Sequence, residues 1–214
     1  MSVSHIVQQG DSVASLAEQY GHFVHTIWDA DNNATLKAQR RDMNVLLPGD
    51  VVWIPDVSVV GRSCEIGKRH VFRRKGVPAA LRLQLMRNGN PRADLPYRLT
   101  IGDTVLKGKT DAQGRLHVFV SPQARDATLY LGTEEERVQL QLGAMDPEDS
   151  PSGIEKRLIN LGYLTASAAE SPDDGTRLRG ALRQFQADRK LDITGEADAA
   201  TRASLVSTHD VGTR

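Results

Sequence analysis

Six histidines, one cysteine and several acidic runs are the first candidates for hydrolytic or metal chemistry in this 214-residue chain. A hydrolytic zinc centre needs several protein ligands around one metal, with a position left open for water. Of His5, His22, His25, His70, His117 and His209, only His22 and His25 lie close together, and no third ligand accompanies them. They read as exposed polar side chains flanking the link between two helices. A cysteine nucleophile needs a thiolate activated by a neighbouring base. Cys64, in GRSCEIGKRH, lacks a Ser-His-Gly-Cys type of context and reads as a small core residue or an inert surface thiol; as the sole cysteine it excludes an intrachain disulfide. Cleavage of a glycosidic bond needs two carboxylates on either side of it. Glu134, Glu135 and Glu136, and Asp146, Glu148 and Asp149, sit in polar runs that read as a hairpin tip and an acidic linker. The expectation is a chain with no catalytic residue, no metal and no cofactor. An enzyme with an unfamiliar site in the middle third is the remaining catalytic reading.

The elements around these residues are clearer than any chemistry they carry. Ile6 alternates with polar neighbours and a turn follows at Gly10-Asp11, so the chain opens on a strand. Ser12 is placed to cap a helix in which Val13, Leu16, Ala17 and Tyr20 share one face, and Gly21 ends it. A second amphipathic run, FVHTIWDADNN at 23–33, groups Phe23, Ile27 and Trp28, and VLLPGDVVWIPD at 45–56 supplies a turn and a closing strand. The predicted order is strand, helix, helix, strand.

With QQGDS, a helix ending in Gly, an apolar-Trp pair before Asn, and LLPGDVVWIP in this order, residues 1–57 resemble a LysM domain. The resemblance implies a βααβ fold that binds chitin-type or peptidoglycan sugars through their N-acetyl groups, in a shallow groove. On this sequence the groove involves Gly10, Asp11, Ser12, Asn33, Leu46, Leu47 and Pro48. Neutral amino sugars need only backbone and amide hydrogen bonds with apolar contact beneath, and no metal. The sequence departs from shorter family members at NATLKAQRRDMN (33–44), an inserted turn placed to cover or reshape the groove. A unit that has kept this fold and lost its sugar site, to dock on protein, is the competing reading.

From Gly153 the pattern becomes helical: an apolar stripe of Ile154, Leu158 and Leu161 with Tyr163-Leu164, a polar loop, a second helix over 176–191 with Leu178, Ala181, Leu182 and Phe185, and a third segment ending near Leu205. The matching positions Leu158, Leu161-Gly162-Tyr163, Asp174-Gly175, Ala181, Phe185-Gln186, Leu191, Gly195, Thr201 and Leu205 resemble the three-helix peptidoglycan-binding domain that accompanies many cell-wall hydrolases. Phe185 and Leu182 read as core. Tyr163, Asp174, Gln186 and Arg189 are the amphipathic or polar side chains suited to touch sugar or stem peptide. The segment MDPEDSPSG (145–153) reads as a connector to this domain.

Between them, HVFRR, LRLQLM, PYRLTI, TVLKGKT, RLHVFV, ATLYLG and ERVQLQL alternate and are separated by NGN, GD and DAQG turns, which predicts an antiparallel β-sandwich over 58–144. Pro96-Tyr97, Lys109-Thr110-Asp111 and Gly114 resemble the small transthyretin-like or carboxypeptidase-regulatory sandwiches. There the Thr-Asp-x-x-Gly turn fixes a hairpin register, and the domain serves as a spacer or docking surface. The chain is therefore read as α+β and multidomain, with divisions at 1–57, 58–144 and 145–214.

A formal net charge of zero, with Arg73-Arg74-Lys75 the only dense basic run near the middle, argues against nucleic acid as a partner. No stretch approaches the roughly twenty apolar residues of a membrane span, so membrane insertion is not expected. MSVSHIVQQGD lacks the charged start and apolar core of a secretory signal. The expectation is synthesis in the cytoplasm and action at the periplasm or wall through a dedicated export machine. Such long-insertion LysM-like units resemble those associated with contractile injection, so a secreted toxin or a type VI or phage-tail-like spike joins N-acetylglucosamine-containing glycan and peptidoglycan as an expected partner.

Overall fold

Ser12 sets the first helix. Its hydroxyl accepts the Ser15 N–H at 3.1 Å while Ser15 Oγ accepts the Ser12 N–H at 3.0 Å, a reciprocal cap that satisfies donors a helix start leaves open. The structure, a computed structural model, describes residues 2–57, 61, 63–71, 79–133, 136–165 and 175–210. These fall into two compact units, Met1–Ala144 and Met145–Arg214. The division expected after residue 57 lies inside the first unit, which holds two separate apolar cores.

In the first unit β1 (Val3–Ile6) pairs antiparallel with β2 (Val51–Ile54), with Ile6 opposite Val51. Helix α1 (Val13–Tyr20) ends at Gly21 in the left-handed conformation, and α2 (Val24–Trp28) and a 3-10 turn (Asp31–Asn33) follow. The expected strand, helix, helix, strand order needs correction here. Residues 33–44, read as an inserted turn, contain a third helix, α3 (Ala34–Arg40). Ala34, Leu36, Lys37, Ala38, Gln39 and Arg40 are strong helix formers, and Leu36 is buried with Val13, Leu16, Ile27, Trp28, Leu46 and Ile54. Arg40 fastens the end of this helix by donating from Nε and Nη2 to the two oxygens of Asp50, at 2.7 Å each. The Asp50 carboxylate also takes the Leu47 N–H, so α3 and the turn before β2 share one anchor.

The rest of the unit is antiparallel sheet. Strands β6 (Pro96–Ile101), β7 (Thr104–Lys109), β9 (Asp126–Leu131) and β10 (Glu136–Gln141) form one sheet in the order β10-β9-β6-β7; β3 (Ala79–Gln84) pairs with β8 (Arg115–Val120), and β4 (Met86–Arg87) with β5 (Asn90–Pro91). Leu99 and Leu129 of the first sheet share a core with Leu116 of the second, and Leu81, Leu83 and Val118 pack on it. Alternation explains this, because side chains of one strand face opposite ways and each sheet turns its leucines inward.

The Thr-Asp-x-x-Gly turn does not close a hairpin. It carries the chain from β7 to β8, which belong to different sheets. Thr110 is buried, donating to the Arg92 carbonyl at 2.5 Å and accepting the Leu95 N–H at 2.9 Å. At Gly114, φ is +72° and a Cβ would lie 2.6 Å from the Leu85 carbonyl, so the turn is held against the 85–95 segment. Of HVFRR, only His70 and Val71 lie among the described residues, in no strand, and Arg73, Arg74, Lys75, Glu134 and Glu135 lie outside them.

The second unit contains α4 (Pro151–Asn160), α5 (Thr176–Asp188) and α6 (Ala199–His209). Ser150 caps α4, with proline at its first position, and Asp198 caps α6 by accepting the Thr201 N–H at 2.8 Å. Ile154 and Leu158 of α4, Ala181, Leu182 and Phe185 of α5 and Leu205 of α6 form its core. Arg157 is buried among them. It reaches Asp210 from Nη2 at 2.8 Å and donates from Nη1 to the Asp146 and Gly153 carbonyls, both at 2.9 Å. With helices and antiparallel sheets in one chain, the protein is α+β.

Candidate functional site

The first loop expected to touch sugar, Gly10-Asp11-Ser12, is bound by its own chain. Asp11 Oδ2 accepts the Gln8 N–H at 2.9 Å and lies 3.0 Å from His5 Nε2, while Oδ1 takes Arg125 Nη2 at 3.1 Å. His5 Nδ1 lies 3.1 Å from the Tyr20 hydroxyl. Gly10 is buried with φ +92°, and a Cβ there would lie 2.8 Å from Cδ and Nε of Arg125. Gln123 adds a bond from Nε2 to the Ser15 carbonyl at 2.7 Å. Thus the β8–β9 loop, residues 121–125, sits over the start of α1.

The second group of expected sugar contacts separates into core and surface. Asn33 is buried, and its amide donates to the Ile27 and Trp53 carbonyls and accepts the Trp53 N–H, each at 2.8 Å. It joins the 3-10 turn to β2. Leu46 is buried in the same core, Leu47 is half-buried and Pro48 is exposed. Of the seven residues, Pro48 alone is exposed, and Ser12 serves α1 as its cap.

In the second unit, Gln186 faces inward. It is fully buried; Nε2 donates to Thr194 Oγ1 and the Glu196 carbonyl at 2.9 Å and to Thr201 Oγ1 at 3.0 Å, and Oε1 accepts the Gly195 N–H at 2.8 Å. This amide holds the 194–196 turn against α5 and α6 and presents nothing to solvent. Tyr163 and Arg189 do come together. The Tyr163 hydroxyl donates to Asp188 Oδ2 at 3.0 Å, its ring meets Phe185 edge-on at 5.4 Å, and the Arg189 guanidinium lies 5.8 Å from the Phe185 ring centroid. Burial, reinforced by the Asp188 carboxylate, raises the Tyr163 pKa above its usual value. Tyr163 is half-buried and Arg189 exposed, so together they form a polar, aromatic surface at the end of α5. Asp174 lies outside the described residues.

Residues 149–205 match the family model described as "Putative peptidoglycan binding domain". The match covers about a quarter of the chain and spans α4, α5 and most of α6. It supports peptidoglycan as the partner of the second unit. No curated protein and no solved structure matches the chain.

The former candidates for chemistry are dispersed. His22 Nε2 lies 2.9 Å from the Pro55 carbonyl, and the exposed His25 of α2 lies 3.1 Å from Asp29 at the end of that helix. Cys64 is exposed. Among the described residues no three His, Cys, Asp or Glu gather where one metal ion would sit, and no helix is long and apolar enough to cross a membrane. Sequence reading missed Arg125, whose partner Asp11 is 114 residues away. It also missed the Arg40–Asp50 and Arg157–Asp210 pairs, since an arginine and an aspartate in separate polar runs carry no local signature.

Proposed function

We propose that this protein is a non-catalytic, multi-modular binder of cell-wall peptidoglycan, acting at the wall to hold itself or a partner there. The family match over residues 149–205 carries this reading. The second unit serves as a three-helix wall-binding domain, with Tyr163 and Arg189 at its contact surface. The first unit is LysM-like at its N-terminal end and continues into a β-sandwich spacer. Contact with neutral glycan through aromatic and hydrogen-bonding side chains needs neither a metal nor an activated nucleophile.

The test is a pull-down of the full chain with insoluble sacculi, followed by assay of released muropeptides. Retention without release is the expected result. Release of muropeptides would make the protein an enzyme, and no retention would remove the wall as its target.

A second reading has one observation in its favour. Arg125 and Gln123 engage the loop and helix start that a LysM sugar groove would use, which suits a LysM-like unit that docks on protein, such as a type VI or phage-tail-like spike. Under this reading the sacculus is bound by the second unit alone. Titration of the full chain with N-acetylglucosamine oligomers separates the two: saturable binding supports a sugar-binding first unit, and none supports docking on protein.

A further inference from the structure

We infer that Arg179 and Arg183, on the outer surface of α5, form a carboxylate-binding site for the peptide stems of peptidoglycan. The inference rests on the wall-binding reading above and adds to it which part of the polymer is recognised.

The two arginines stand four residues apart on one helix, which places like charges side by side, an arrangement that disfavours the helix. Both are exposed. Their stems lie across the turn at Gly195: a Cβ at that glycine would be 2.7 Å from Arg179 Cγ and 2.9 Å from Arg183 Nε. Because Gly195 has φ +76° and no side chain, both stems can rest on it. Gln186 anchors the backbone of this turn by accepting the Gly195 N–H at 2.8 Å.

Neither guanidinium has a hydrogen bond or ion pair with any described residue. Several other charges of this unit are engaged: Arg157 with Asp210, Lys156 with Asp146, Asp188 with Tyr163 and Arg202 with the Ala197 carbonyl. Asp192 and Glu196, the acids nearest Gly195 in sequence, form no ion pair with Arg179 or Arg183. Residues 176–190 carry five Arg and Lys against one Asp, in a chain of zero net charge. A guanidinium fork is shaped to grip a carboxylate with two parallel bonds. In peptidoglycan the N-acetylated sugars are neutral and free carboxylates belong to the stems, so an anion site on a peptidoglycan binder reads the peptide.

Retention of the full chain is measured on three preparations: native sacculi, sacculi stripped of phosphodiester-linked polymers with hydrofluoric acid, and stripped sacculi whose carboxylates have been amidated with carbodiimide. The expected result is unchanged affinity after stripping and about tenfold weaker affinity after amidation, the loss of one charge-assisted contact. Arg179→Gln/Arg183→Gln should bind native sacculi about tenfold more weakly, lose nothing more on amidation, and keep the wild-type melting temperature, since both side chains are exposed. Lys107→Gln/Lys109→Gln, which removes the same charge from exposed β7 positions, should bind like wild type. Equal retention on amidated sacculi, a double variant that binds like wild type, or equal weakening by the lysine variant would overturn the site. Loss on stripping alone would assign the anion to phosphate and overturn it too. If the wild-type chain fails to bind native sacculi, the wall-binding reading falls with it.

Discussion

The Arg125 guanidinium donates to Asp11 Oδ1 at 3.1 Å across 114 residues of sequence, and its stem lies where a side chain at position 10 would be. One loop of the β-sheet region thereby grips the first strand-helix turn. Gly143 adds to the contact, since a Cβ there would lie 2.9 Å from the Gly10 carbonyl.

This relationship makes two substitutions interdependent. Arg125→Ala should cost about 1 kcal/mol, the upper end for a partly exposed pair. Gly10→Ala should cost about 2 kcal/mol, because alanine is strained at φ +92° and displaces Arg125. The double variant should lose less than the sum, as the clash disappears with the side chain. Urea denaturation of the four proteins measures this; strict additivity would show that the two residues do not share an interaction.

Asn33 and Gln186 should behave as structural amides. Asn33→Ala removes three hydrogen bonds and leaves buried backbone groups unpaired, an expected loss of about 3 kcal/mol. Gln186→Ala should cost about the same through the 194–196 turn. Pro48→Ala, at an exposed position, should change stability by less than about 0.5 kcal/mol. Thermal melts rank the three, and an unchanged melting temperature for Asn33→Ala would contradict the structure.

Acid should loosen both units. Burial alone would raise the Asp50 and Asp210 pKa values, but hydrogen bonds from Arg40 and the Leu47 N–H at Asp50, and from His209 and Arg157 at Asp210, with the arginine charges, leave both below the ordinary carboxylate range. A carboxylate with a depressed pKa in the folded state contributes stability that is present above its unfolded pKa of about 3.9 and is lost as pH falls through its folded pKa. Urea midpoints should therefore decline below about pH 4. Asp50→Asn and Asp210→Asn should each lower stability at pH 7 and flatten the decline; a variant whose acid limb matches wild type would exclude that carboxylate.

Removing the countercharge of Arg157 should be costly. Asp210→Ala leaves a buried guanidinium with two carbonyl partners and no anion, an expected loss of about 2 to 3 kcal/mol. Arg157→Met, which fills the space without charge, should be better tolerated than Asp210→Ala. The comparison of denaturation midpoints tests this, and the reverse order would argue against burial of the charge.

The α5 surface offers a spectroscopic check. Because the Tyr163 phenol is partly buried and donates to Asp188, its ionisation in the folded protein should fall above that of Tyr163 in the unfolded chain. A raised tyrosine pKa contributes stability that is present below the unfolded pKa of about 10 and is lost as pH rises through the folded value. Difference absorbance of wild type and Tyr163→Phe isolates this titration, and Asp188→Asn should lower its midpoint.

Local signals in the sequence determined the elements. Ser12, Ser150 and Asp198 are capping residues at helix starts, Gly21 is a left-handed stop, and the alternating leucines of β3, β6 and β9 face one core because strand periodicity leaves them no other arrangement. The helical stripe of Leu158, Leu182, Phe185 and Leu205 was legible for the same reason, and the family match falls on it. What the 33–44 segment would become was not legible: its helix formers were visible, but the burial of Leu36 and the Arg40–Asp50 clasp that hold α3 in place depend on residues outside the segment.

Only the tertiary structure decided which polar residues face solvent. Asn33 and Gln186 have the side chains of ligand-binding amides, yet both close turns inside the protein, while Asp11 is gripped by an arginine from the distant β8–β9 loop. An amide or carboxylate in a sequence advertises hydrogen-bonding capacity without naming the partner, and burial obliges it to find one within the fold. Periodicity and caps are properties of a few neighbouring residues, so the sequence by itself determined strands and helices. The pairing of distant polar groups depends on how those elements pack, so the surface left free for a ligand emerged only when they had folded together.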